Sequence, residues 1–252
     1  MPFLRGAVAF LILLPALLCA REPPRRILFI GNSYTGQIRN MLTRVVAASP
    51  HRATHLEFVT PGGKTLEFHA HDPPTLARIR NGNWDLVVLQ DQSQTPALFP
   101  EKFLAAAAVL HAAIAKSGAR TAYYETWGRR DGDARNAHRF PDYAGMQAAL
   151  TRAYRQAAKR DEALLVPVGD AWRRVRTDRP DLGRDLYQQD GSHPSPPGAY
   201  LAACCFYGAL FGKNAGAVRF DGGLSRENAA YLRRIAAEAI RDDAPARPRG
   251  RP

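Results

Sequence analysis

The chain has 252 residues, 46% of them hydrophobic and 23% charged, enough to bury the core of one domain and too apolar for a chain that is disordered throughout. Its 35 Lys and Arg against 23 Asp and Glu leave a formal charge of +12, which favours acidic partners such as an anionic polysaccharide, an envelope surface or nucleic acid. Nucleic acid is set aside, because the arginines are scattered and no nucleic-acid-binding motif is present.

Residues 1–20 read as a secretory signal peptide: Arg5 precedes an almost uncharged run from Gly6 to Leu18, and Cys19-Ala20 leads into polar Arg21-Glu22-Pro23-Pro24. The apolar core is too short for a stable membrane span. An exported protein, periplasmic or secreted, is therefore expected. Simple cleavage after Ala20 is preferred over lipoprotein anchoring through Cys19, because Leu18 is bulkier than the small residue a lipobox takes.

Residues 26–30 end in the apolar run Ile27-Leu28-Phe29-Ile30, which stops at Gly31, and Asn32-Ser33-Tyr34-Thr35 leads into helical spacing at Ile38, Met41, Leu42, Val45 and Val46. Ser33 thus stands where a strand becomes a helix, at the carboxyl edge where ligands bind in open α/β sheets. Two readings stand at this point, a nucleophile beside a helix dipole and an N-cap with Gly31 making the turn. Further strand patterns at 56–60, 86–89, 121–125 and 164–168 alternate with helical patterns, notably 103–115 and 143–158. Such alternation argues for a parallel sheet covered by helices on both faces.

Between these elements, His69, His71 and Asp72 form a His-x-His-Asp string without the further Cys, His or Glu a metal site needs, so no metal is expected. Trp127, Arg129 and Arg130 follow the 121–125 strand on a loop at the Ser33 edge, which makes them candidate substrate contacts. Trp84 and Trp172 read as core. Asp190-Gly191-Ser192-His193-Pro194 lies just before an apolar helical run at 199–211. A Ser hydroxyl needs an imidazole to take its proton, and the imidazole needs an acceptor to fix its tautomer. Asp190 and His193, three residues apart on one loop, supply both and favour Ser33 as nucleophile.

Four ordered blocks, GNSYT at 31–35, PGGKTLEFH at 61–69, WDLVVLQDQSQTP at 84–96 and DGSHPSPPGAYLAA at 190–203, make the chain resemble the SGNH or GDSL-like hydrolases. The likeness is to the bacterial branch whose first block reads Gly-Asn-Ser. The resemblance implies a flavodoxin-like three-layer α/β/α sandwich with a five-stranded parallel sheet, and catalysis by Ser33, His193 and Asp190. It also implies an oxyanion hole from the Ser33 N–H, the Gly63 N–H (or Gly62 with the register shifted by one) and an amide side chain of the third block, and places His69 near the pocket. The family usually carries Gly-x-Asn-Asp in that block. Here Gln90-Asp91-Gln92-Ser93-Gln94 stands instead, so Gln92 is the expected donor, with Gln94 the alternative and a further candidate contact.

Adjacent Cys204 and Cys205 on a helix are poorly placed to bond each other and read as small packing residues. Residues 241–252, rich in Arg, Asp, Ala and Pro, lack apolar periodicity and read as a disordered basic tail after a hydrolase domain spanning 21–240. The expected activity is ester hydrolysis through an acyl-Ser33 intermediate, without cofactor, on a substrate such as an acylated carbohydrate. The alternatives are an envelope glycan O-acyltransferase using the same residues and an inactive envelope binding protein. Oligomeric state has no signature in the sequence.

Overall fold

A computed structural model describes residues 23–212 and 215–243. The expected leader, with Arg5 and Cys19, lies outside the described residues. In chain order the elements are β1 (Arg26–Ile30), α1 (Ser33–Ala47), β2 (His55–Val59), α2 (Leu66–His71), α3 (Pro73–Asn81), β3 (Leu86–Leu89), α4 (Thr95–Leu98), α5 (Pro100–Lys116) and β4 (Arg120–Tyr124). The second half continues with α6 (Tyr143–Arg160), β5 (Leu164–Val166), α7 (Val168–Asp178), α8 (Pro180–Asp185), α9 (Pro196–Phe211) and α10 (Arg226–Asp243).

The five strands form one parallel sheet in the order β2-β1-β3-β4-β5, the flavodoxin-like doubly wound order. Side chains alternate across β1, so Ile27 and Phe29 join one core with α1, α7, α9 and α10, while Leu28 and Ile30 join the other with α2, α3, α5 and α6. This is the three-layer α/β/α sandwich expected. Because β1 pairs β2 on one side and β3 on the other, the chain leaves β1 and β3 in opposite directions. That divergence opens a crevice at the carboxyl edge.

The boundaries differ from expectation where local chemistry intervenes. β5 stops at Val166 because Pro167 has no N–H for the ladder. β4 stops at Tyr124, leaving Glu125 and Thr126 buried just past it. α10 runs three residues into the segment expected as tail, where Arg174 pairs with Asp242 at 2.6 Å and Arg155 with Asp243 at 2.7 Å; residues 244–252 lie outside the described part. Trp84 and Trp172 are core, as expected. Cys204 and Cys205 are free and fully buried on α9, and burial pushes the Cys204 thiol up to about 12, so neither is a thiolate nucleophile.

Candidate active site

β1 brings the chain to the sheet's carboxyl edge, where Gly31 turns it. A Cβ on Gly31 would stand 2.5 Å from Gln90 Oε1 and 2.6 Å from Thr35 Oγ1, so only glycine lets the turn close against the loop after β3. Gln90 Oε1 accepts from the Asn32 N–H at 3.1 Å and from the Thr35 hydroxyl at 2.7 Å, and its amide donates to Asn32 Oδ1 at 3.1 Å. Asn32, not Ser33, caps α1, its Oδ1 accepting from the Tyr34 N–H at 3.1 Å. Ser33 is the first helical residue, and its hydroxyl is released from capping.

That hydroxyl lies 2.9 Å from His193 Nε2. On the other side of the ring, Nδ1–H donates to Asp190 Oδ2 at 2.5 Å, and Asp190 Oδ1 accepts from the N–H groups of Ser192 at 2.9 Å and His193 at 3.0 Å. Partial burial opposes ionisation of Asp190, but the imidazole and the two N–H groups outweigh it and hold the carboxyl below its usual range. With Nδ1 as donor, Nε2 presents its lone pair to the Ser33 O–H.

Core side chains fix the loop that carries His193. Tyr34 Oη lies 2.7 Å from Ser192 Oγ, and its ring meets the His193 ring edge to face at 5.4 Å. Trp127 is stacked between Tyr34 at 4.9 Å and Trp172 at 3.8 Å, and its indole N–H donates to Ser192 O at 2.9 Å. Trp127 is fully buried, which corrects its expected role as a substrate contact: it braces the loop from beneath. Tyr34 was unassigned in the sequence although it belongs to the first block.

Gly63 has a φ of +69°, a conformation that favours glycine, on an exposed turn whose Lys64 carbonyl accepts from the Asn32 amide at 2.9 Å. The buried carboxyl of Asp91 joins this turn to the third block, Oδ1 accepting from Leu66 N–H at 2.9 Å and Gln92 N–H at 2.6 Å; burial pushes its pKa up to about 7. Gln92 Oε1 accepts from Gln94 N–H at 2.8 Å and Thr95 N–H at 3.2 Å as the chain enters α4. The Gln92 amide N–H groups have only long contacts, 3.4 Å to Ser93 Oγ and 3.5 Å to Gln94 Oε1. Gln94 instead donates to the buried Asp133, which also accepts from Asn136 at 2.7 Å and lies 3.5 Å from Arg129 Nη1. Asp133 organises the 129–140 loop and had no sequence signal.

His69 is fully buried, with Nε2 2.8 Å from Gly31 O and Nδ1 3.2 Å from Thr75 Oγ1. Burial lowers its pKa, which suits a neutral ring donating to the Gly31 carbonyl. Among the described residues no cluster of His, Cys, Asp or Glu could hold a metal ion. None of the described helices is long and apolar enough to cross a membrane.

No family model matches the sequence, and no curated protein matches it. Among solved structures, a protein of Slackia heliotrinireducens described as an SGNH hydrolase is 30% identical, with a TM-score of 0.63, and the match covers 73% of this chain and 98% of that one. The chain belongs to the SGNH/GDSL-like hydrolase family. A DUF4886 family protein of Bacteroides uniformis shares the fold more fully, with a TM-score of 0.73 at 18% identity over 85% of this chain and 94% of its own. The psychrotrophic esterase EstA of a Pseudoalteromonas species gives a TM-score of 0.55 at 15% identity over 74% and 96%. At these last two identities the likeness is one of fold. In this SGNH hydrolase, then, the first, second, third and last blocks of the sequence converge on one crevice between β1 and β3.

Proposed function

We propose that this SGNH hydrolase is a serine esterase that cleaves O-acyl esters, with short acyl groups such as acetyl on a carbohydrate as its substrates. The observation that carries the reading is the unbroken line from Ser33 Oγ through His193 to Asp190, at 2.9 Å and 2.5 Å. His193 takes the Ser33 proton as Oγ attacks the ester carbonyl carbon, and Asp190 stabilises the imidazolium that forms. Collapse of the tetrahedral intermediate expels the alcohol, which takes the proton from His193. Water then gives a proton to His193 as it attacks the acyl-Ser33 carbon, and His193 returns that proton to Ser33 Oγ as the acid leaves. No cofactor enters these steps.

The oxyanion would be held by the N–H groups of Ser33 and Gly63 and by the Gln92 amide. Support for Gln92 over Gln94 lies in their partners: the Gln92 carbonyl is fixed by two backbone N–H groups while its amide hydrogens have only long contacts, whereas the Gln94 amide is committed to Asp133. Ser33 opens the 15-residue helix α1, whose dipole favours negative charge there. Arg129, with a quarter of its side chain exposed and only a 3.5 Å ion pair, is the loop residue retained as a substrate contact.

The test is hydrolysis of p-nitrophenyl acetate and butyrate by the purified protein beside Ser33→Ala and His193→Ala. Turnover falling by about 10⁴-fold or more in both variants supports the serine mechanism. Wild-type turnover no faster than the variants overturns it for these esters.

A further inference from the structure

A second cavity opens at the same sheet edge, between the first half of α6 and α7, with a volume of about 840 Å³, within the roughly 300–1,000 Å³ of ligand-binding pockets. Four arginines, Arg130, Arg152, Arg173 and Arg176, line it. Arg176 lies over the Tyr143 ring at 4.1 Å with Nη2 donating to Arg130 O at 2.9 Å, and among the described residues neither Arg176 nor Arg152 makes an ion pair. Arg173 shares Asp170 with Arg155, at 3.2 Å and 2.6 Å. Beneath the floor, burial and then the nearby Asp170 push the Glu125 pKa up to about 8, so this carboxyl adds little negative charge to the cleft at neutral pH, and Asp131, Asp142 and Asp170 are the carboxylates that line it.

The cleft touches the catalytic loop through Arg130. Its N–H donates to Gly191 O at 2.8 Å, and its guanidinium carbon lies 3.5 Å from where a Cβ on Gly191 would stand, beside Asp190. At the rim, Asp131 pairs with Arg130 at 2.8 Å and Asp142 adds a further carboxylate, which leaves Arg152 and Arg176 as the two cleft arginines without an ion pair among the described residues. A dense polyphosphate would be repelled by these carboxylates, whereas a sugar ring offers hydroxyl donors from which they can accept. Arginines that lack carboxylate partners then select sugars that carry an acid.

We propose that the α6–α7 cleft is a subsite for uronic-acid units of a glycan whose acylated sugar reaches Ser33. The link to Ser33 rests on the esterase reading; the binding does not, because it can be measured with an oligosaccharide that carries no ester.

The full-length protein is titrated calorimetrically with trigalacturonate and with uncharged xylotriose. Trigalacturonate binds and xylotriose does not, and affinity falls as salt is raised. Arg152→Gln with Arg173→Gln, both exposed, weakens binding at least tenfold, while the charge-matched pair Arg80→Gln with Arg226→Gln, far along the chain on α3 and α10, binds as wild type. No binding of trigalacturonate, equal binding of xylotriose, or equal loss in both double variants overturns the subsite. Failure of the esterase reading shows separately, as p-nitrophenyl acetate turnover that survives Ser33→Ala.

Discussion

The carbonyl of Gly31, two residues before Ser33, accepts from His69 Nε2 at 2.8 Å, and the other ring nitrogen lies 3.2 Å from Thr75 Oγ1, whose hydroxyl donates to Asp72 at 2.6 Å. The turn that aims the candidate nucleophile is thus anchored by a side chain of the second block as well as by Gln90 of the third. His69→Leu leaves the Gly31 carbonyl without that buried donor, at a cost of about 1–3 kcal/mol. The expected outcome is a drop in kcat of about tenfold or more at little change in KM, with His69→Gln recovering part of it. Steady-state kinetics on p-nitrophenyl acetate, at a temperature where thermal unfolding shows both variants folded, reads the split; unchanged kcat in His69→Leu counts against the anchor.

Trp127 makes two separable contributions, stacking between Tyr34 and Trp172 and the N–H bond to Ser192 O. Trp127→Phe keeps a ring and loses the bond, so kcat is expected to fall by about fivefold in a folded protein, for roughly 1 kcal/mol of lost loop fixation. Trp127→Ala opens a core cavity and is expected to cost about 3–5 kcal/mol of stability. Denaturant melts of the two variants beside their kinetics separate the effects.

The third block gives a paired prediction. Gln92→Ala is expected to lower kcat by about 10²–10³-fold if its amide meets the oxyanion. Gln94→Ala removes a donor to Asp133, so its expected effect is mainly on melting temperature. Reversed effects on kcat would make Gln94 the donor.

Glu125 sets a pH dependence of stability. Its folded pKa of about 8 lies above its ordinary value of 4.5, so between those values the folded protein keeps a proton that the unfolded chain releases. Stability from this group is full below about pH 4.5 and declines as pH rises towards 8. Glu125→Gln is expected to flatten the fall in melting temperature between pH 6 and pH 8.5, measured by calorimetry; an unchanged slope would place the wild-type dependence on other groups.

The residues that carried information in the sequence were those whose chemistry is tied to a fixed place in the chain. Ser33 after a strand and Asp190 with His193 on one loop were legible because three residue types and two turns suffice to describe them. The sheet was legible because buried parallel strands read as short apolar runs such as Leu86–Leu89. Trp127 was misread because its position after β4 was visible while the packing of Tyr34 and Trp172 around it was not. Asp91 and Asp133 depend on partners 25 and 39 residues away, which no local spacing encodes. α10 was missed because its buried Leu232, Ile235 and small alanines are diluted by Arg226, Arg233, Arg234 and Arg241.

The most direct measurement of the central claim is covalent labelling of the full-length protein with a p-nitrophenyl alkylphosphonate, followed by peptide mass spectrometry. The account predicts one adduct per chain, on Ser33, absent in Ser33→Ala and formed at least about a hundredfold more slowly in His193→Ala. An adduct on another residue, or none while ester hydrolysis proceeds, would contradict it.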